Sequence, residues 1–290
     1  MKVKNQKAAA YAALITTFVL WGSLYVVSKY VLGKLPTFTI SFLRFVIAFL
    51  ALSLIGRKTS GRIERKDVPY LLLIGIGGYF VAVGAQLLGT KYAGASLASL
   101  LNSLNPVTMT LFAAVLLHEK LTVKKGIGIG LALAGVYVIL GGSGKGNLAG
   151  ILLSLASVLL WSAVSVLMRR ITQKYDSMQV TRCGVGIAAL CYLPVCGAEI
   201  AAGAPIGLDI PCMLALLYMG VVCTGIAYLL WNKSLSVLEA GRCSAFYPVQ
   251  PLVSAALGML LLGERTGTAF WAGAALIVAG IVVNVTERSN

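Results

Sequence analysis

Six short stripes of aromatic, amide and hydroxyl side chains carry the chemistry this chain offers. Trp21, Tyr25 and Ser28 recur at i, i+4 and i+7, as do Thr224, Tyr228 and Trp231, so each set shares one helix face. Ser157, Trp161, Ser165 and Met168 make a third such face, and Tyr79 with Gln86 a fourth. Ser99, Asn102 and Asn105 stand just before Pro106, and Ser244, Tyr247 and Gln250 just before Pro251. Such groups suit the holding of a small amphipathic molecule, with rings stacking on its apolar part and amides and hydroxyls bonding its polar end. A quaternary amine could use the same rings by cation–π attraction.

Bond-breaking chemistry has no equivalent set. There is no nucleophile paired with a base, and the "GGSGKGN" run at 141–147 lacks the spacing of a phosphate loop, so it reads as a linker. His118 stands alone beside Glu119. The six cysteines include no C-x-x-C pair and read as small buried residues. No metal and no cofactor is expected, and the chain does not read as an enzyme.

The elements that hold these stripes follow from composition. Of 290 residues 59% are hydrophobic and 11% charged, and the mean hydropathy is +0.90, too apolar for a soluble domain. The chain divides into about ten apolar runs near 9–32, 37–56, 69–90, 95–117, 123–141, 147–168, 178–198, 211–232, 240–262 and 267–285. They are continuous and glycine-rich, which favours helices over the alternating strands of a barrel. The expected fold class is an all-α integral membrane protein with ten transmembrane helices. The first run is too long for a cleaved leader and has no small-residue cleavage site.

The net charge of +15 collects after alternate spans, at Arg57, Lys58, Arg65 and Lys66, then Lys120, Lys124 and Lys125, then Arg169, Arg170 and Lys174. Positive loops mark the cytoplasmic side. Both termini are therefore expected in the cytoplasm of a multi-pass protein in the plasma (bacterial inner) membrane, and nucleic acid is not an expected partner.

In lipid, polar side chains turn inward, because an unpaired polar group in hydrocarbon costs several kcal/mol. The six stripes are therefore expected to converge, with Trp21, Tyr25, Tyr79, Gln86, Asn102, Asn105, Trp161, Ser165, Tyr228, Trp231, Tyr247 and Gln250 as candidate substrate contacts. The amides could equally bond between helices. Arg44, in mid-span with no acid at its depth, must meet carbonyls, another side chain or an anionic substrate. Lys29 can snorkel, and Tyr11, Tyr30, Tyr92 and Trp271 read as interfacial anchors. Gly126, Gly130 and Gly135 read as points of close helix contact. Pro106 and Pro251 each remove a backbone donor and read as either hinges or static kinks. With no carboxylate or histidine at mid-depth, a facilitator or exchanger is expected rather than a buried proton relay.

The chain also repeats itself. "LWGSLYVVSKY" echoes "LWSAVSVLMRR" at an offset of 140, Trp21 on Trp161. "SLNPVTMTLFAAVLLHEKLTVKKGIGIGLALAGVYVIL" aligns on "YPVQPLVSAALGMLLLGERTGTAFWAGAALIVAGIVVNV" at 145, with Pro106 on Pro251 and Glu119 on Glu264. The division is 1–141 and 142–290. Five spans per half make the repeats inverted, an architecture of secondary transporters that exchange two shapes around a midplane site.

The blocks "WGSLYVVSKYVLGKLPTFTISFLRF", "GTKYAGASLASLLNSLNPV" leading to "HEKLTVKKGIGIGLALAGVYVIL", and "WNKSLSVLEAGRCSAFYPVQPL" leading to "LGERTGTAFWAGAALIVAG" carry a resemblance. The sequence resembles the EamA-type ten-helix transporters of the drug/metabolite transporter superfamily over essentially its whole length. The resemblance implies a bundle of inverted repeats, a cavity bounded by helices 1, 3, 4, 6, 8 and 9, and movement of small metabolites, often amino-acid export. It departs at Gly184, which stands where Arg44 would repeat. The partners implied are a small solute and the bilayer; monomer and homodimer both remain open.

Overall fold

A computed structural model describes residues 2–56, 63–116, 122–142, 148–238, 243–244 and 246–285. Every regular element in it is helical, as lipid demands, since only internal bonding satisfies the backbone there. We number them α1 (Lys2–Leu32), α2 (Thr37–Ile55), α3 (Arg65–Ala93), α4 (Ala95–Asn102), α5 (Asn105–Leu116), α6 (Val123–Gly142), α7 (Leu148–Lys174), α8 (Ser177–Ala201), α9 (Ile210–Val237), α10 (Val249–Leu262) and α11 (Thr268–Val285).

Six of these, α1, α2, α3, α7, α8 and α9, are long and apolar enough to cross a membrane, and shorter apolar helices complete the bundle. The run expected as one helix at 95–117 is two, α4 and α5, separated by a turn at Ser103 and Leu104. In the run at 240–262 a turn at Phe246–Pro248 precedes α10, which begins at Val249. Pro106 and Pro251 therefore do not sit in mid-helix. They are the second and third residues of α5 and α10, where the missing N–H has no intrahelical partner to lose.

The sharp junctions have local causes. Pro36 opens α2 in the extended conformation that its ring favours. Gly94 separates α3 from α4 at φ +89, and Gly263 ends α10 at φ +62, both in the region that favours glycine. Two carboxylates satisfy helix starts from across the bundle. Glu199 accepts from the Phe38 and Thr39 amides, at 3.1 and 2.7 Å, and Glu264 accepts from the Ala95 and Ser96 amides, at 2.7 and 3.0 Å. Each meets the positive end of a helix dipole.

Inside α3 and α9 the helix widens to π geometry over Leu73–Ala82 and Tyr218–Ile226. Leu73 and Tyr218 stand 145 residues apart, the offset seen in the sequence blocks. The widened turns present carbonyls that side chains then claim. Thr224 Oγ1 donates to Met219 O at 2.7 Å, the Tyr192 hydroxyl to Phe80 O at 2.6 Å, and Trp21 Nε1 to Cys223 O at 3.2 Å.

Packing against these stretches is equally paired. A Cβ on Gly75 would stand 2.6 Å from Ile187 and 3.2 Å from Gly184 O, and one on Gly220 would stand 2.6 Å from Ile47 and 3.0 Å from Arg44 O. Only glycine lets α3 approach α8, and α9 approach α2, so closely. The most extensive helix contact joins α6 to α11. There a Cβ on Gly135 would meet Gly273 O at 2.7 Å, and one on Gly280 would meet Gly128 O at 2.5 Å. Gly126 and Gly130, expected beside Gly135 as contact points, instead have nothing within 4 Å of a Cβ, because they face outward from the pair.

Candidate functional site

At the centre of the bundle α1, α3, α4, α7, α9 and α10 surround a small cavity. Trp21, Tyr25, Gln86, Asn102, Trp161, Tyr228 and Gln250 line it, with Ser157, Leu24, Ala82 and Val83. About 20 Å³ is left for the centres of water molecules, room for roughly one. The stripes thus meet, and they meet closed.

The rings fill the space themselves. Trp21 packs edge-on against Trp161 and Tyr228, with centroids 5.9 and 5.6 Å apart, and Tyr228 lies 5.7 Å from Trp161. Such contacts are worth about 0.5–1.5 kcal/mol each beyond area burial. Polar pairs complete the wall: Gln86 Nε2 donates to the Tyr25 hydroxyl at 2.6 Å, and Asn102 Nδ2 to Gln250 Oε1 at 3.1 Å. Both amides join helices in this closed arrangement, and both also face the space a ligand would take.

The other candidates stand one layer back. Tyr79 stacks on Trp161 at 5.9 Å, touches Tyr228 at 4.7 Å, and accepts at its hydroxyl from Asn232 Nδ2 at 3.2 Å. Tyr247 accepts from Trp161 Nε1 at 2.9 Å. Trp231 packs 5.6 Å from Trp21, fully buried, its Nε1 without a partner among the described residues. Asn105 donates to Asn102 O at 2.6 Å and accepts from Ser162 at 2.8 Å, tying the α4–α5 break to α7. Ser165 is buried without a hydroxyl partner among the described residues. Asn232, which no stripe included, also bonds Thr181 at 2.8 Å and links α9 to α8.

Arg44 is 1% exposed. Its Nε donates to Thr224 Oγ1 at 2.9 Å, while Nη2 has no partner among the described residues. It does not line the cavity. Lys29 reaches the exposed end of α3, where its Nζ donates to Lys91 O at 2.7 Å. Tyr30, Tyr92 and Trp271 are exposed, while Tyr11 packs on Phe246. The pair His118 and Glu119 lies outside the described residues.

Helices long and apolar enough to cross a membrane, with aromatic and amide groups gathered around a central space, are the build of a polytopic membrane protein. The family model of the EamA-like transporters matches residues 8–141 and again 148–286, and the chain belongs to that family. A probable amino-acid metabolite efflux pump of Salmonella typhimurium is 30% identical over 283 residues, which is 92% of this chain and 91% of that one. One so described from Escherichia coli is 28% identical over 97% of this chain and 95% of its own length. An uncharacterized transporter of Archaeoglobus fulgidus is 29% identical over 96% and 99%. A solved crystal structure at 24% identity shares the fold, with a TM-score of 0.68 over 95% of this chain and 96% of that one. The family and these relatives are transporters, not enzymes.

Proposed function

We propose that this chain is a carrier for an amino acid or similar zwitterion, exporting it from the cytoplasm by alternating access between two inverted halves, 1–141 and 142–290. The observation that carries the reading is the closed cavity, whose wall comes from spans of both halves and combines Trp21, Trp161 and Tyr228 with Gln86, Asn102 and Gln250. The rings take the apolar part of such a solute and the amides its polar end. Arg44 offers its Nη2, which has no partner among the described residues, to a carboxylate.

The paired π stretches, the paired glycine approaches and the double family match support the inverted repeat. Pro106 and Pro251 open α5 and α10 next to the cavity residues Asn102 and Gln250, which suits hinges at those breaks. Export draws on the names of the relatives, and cytoplasmic termini draw on the basic loops. Among the described residues the carboxylates sit at the ends of spans rather than at the cavity, which favours exchange or facilitation.

The test is thermal stability of the purified protein against amino acids, amines, nucleosides and organic anions, since a ligand of the folded state raises Tm by mass action. Stabilisation by apolar or aromatic amino acids that disappears in Trp161→Ala is the expected result. Stabilisation by choline-like cations alone would replace the zwitterion with a quaternary amine.

A further inference from the structure

Two ion pairs close opposite ends of the bundle. At the end where α1 finishes, Lys34 binds Asp209. At the end where α1 starts, Lys174 binds Glu64 at 2.7 Å. Lys34 and Lys174 stand 140 residues apart, the offset of Trp21 and Trp161, and each closes the first span of its half. Glu64 and Asp209 stand 145 apart, the offset of the two π stretches, and each is the residue before the first turn of α3 or α9. One bond is therefore made twice, once at each face, and each copy joins one half of the chain to the other.

We propose that Lys34–Asp209 and Lys174–Glu64 are the two latches of a single transport cycle, each holding one face shut and each breaking while the other stays made. The proposal rests on the alternating-access reading above. Both latches are engaged here, around a cavity too small for a solute. All four side chains are partly exposed, at 28% and 50% for Lys34 and Asp209, and 38% and 48% for Lys174 and Glu64. Ion pairs so exposed are individually weak, which suits a contact that must open in every cycle rather than one that holds the fold.

The copies are not equal. Asp67 also accepts from Lys174, at 2.5 Å, and from the Tyr175 hydroxyl at 2.7 Å, whereas Cys212 stands at the matching place beside Asp209. The latch at the N-terminal face is the stronger, so the resting protein opens more readily at the far face.

Hydrogen–deuterium exchange on the whole chain in lipid nanodiscs tests this without any substrate. In Lys34→Met with Asp209→Asn, whose Asn keeps the helix cap, exchange should rise roughly two- to fivefold at residues 33–40 and 199–212 and fall at 64–74 and 168–178. Lys174→Met with Glu64→Gln should do the reverse. A variant that merely loosens the fold cannot protect the opposite face. Gly207→Trp wedges the far face without removing either charge, because Gly207 N donates to Lys34 O at 2.9 Å and a Cβ there would lie 3.4 Å from that oxygen and 3.7 Å from Lys34 Cβ. If the wedge protects the N-terminal face and the neutralised pairs do not, the latches are wrong and alternating access stands. If neither produces the reciprocal change, both fall.

Discussion

A buried guanidinium with one bare nitrogen is expensive to keep in hydrocarbon. The repeat makes the expense specific: where one half has Arg44 against Thr224, the matching positions hold Gly184 and Tyr79, and the tyrosine ring fills the space, 2.7 Å from where a Cβ on Gly184 would be. Sequence alone left Arg44 with carbonyls, a side chain or a substrate; its partner Thr224 was unreadable because it belongs to a π turn that no hydropathy pattern marks. We expect Arg44→Met to fold with unchanged or higher Tm, since an apolar side chain of similar length removes the desolvated charge. The same variant should lose the stabilisation by carboxylate-bearing ligands, with at least about a tenfold rise in Kd if the bond to the charge contributes ~1.5–3 kcal/mol. A cap tells a similar story. Glu264 was legible as a repeated acid but not as the residue that starts α4, because its amide partners lie 169 and 168 residues away. Glu264→Ala should lower stability by about 0.5–2 kcal/mol, read as a drop in Tm.

At the scale of elements, hydropathy located the six long apolar helices because lipid imposes one rule on all of them, but it missed the interruptions elsewhere. The break at Ser103–Leu104 lies among Asn102, Asn105 and Pro106, which read as a polar stripe and a hinge or kink rather than as the end of one helix and the start of another, and the glycines that matter could not be told from those that do not. Gly75→Ala and Gly220→Ala each force a methyl to 2.6 Å from an isoleucine and should cost about 1–3 kcal/mol. Gly126→Ala and Gly130→Ala meet open space, so their stability should hold or rise slightly. Chemical denaturation in detergent separates the two classes. Pro106→Ala and Pro251→Ala should leave stability nearly unchanged, since each proline already sits in a first helical turn. If the breaks are hinges, both variants should slow flux in proteoliposomes; normal flux would make them static.

For the whole molecule, the proposed duplication rests on aligning the chain on itself, and the same alignment at offsets of 140 and 145 already pairs Lys34 with Lys174 and Glu64 with Asp209. What it could not supply was the contact between them, which needs the halves folded together. The pH response follows from these pairs. The Lys34 ammonium holds the Asp209 carboxyl below its ordinary 3.8, and Lys174 and Lys66 hold Glu64 below 4.5, while Asp209 raises Lys34 above 10.5. A depressed acid contributes stability above its unfolded pKa and loses it as pH falls through the folded one; a raised lysine contributes below its unfolded pKa and loses it as pH rises through the folded one. Protection factors at both faces, taken relative to the intrinsic exchange rate at each pH, should therefore stay flat from about pH 5 to 9 and fall only outside that window. A change near neutrality would assign the closure to other groups.

The glycine seam between α6 and α11 bears on how any of this is measured. Gly135 against Gly273 and Gly280 against Gly128 are images of each other under the operation that would interchange the halves. A contact lying on a symmetry axis has the same form on either side of that interchange, so in the alternating-access cycle proposed above this pair would be the stationary axle while the six long helices tilt. A spectroscopic label on its outward face, at Gly130 or Tyr137, would keep one position throughout the cycle and give every moving label an origin to be measured from.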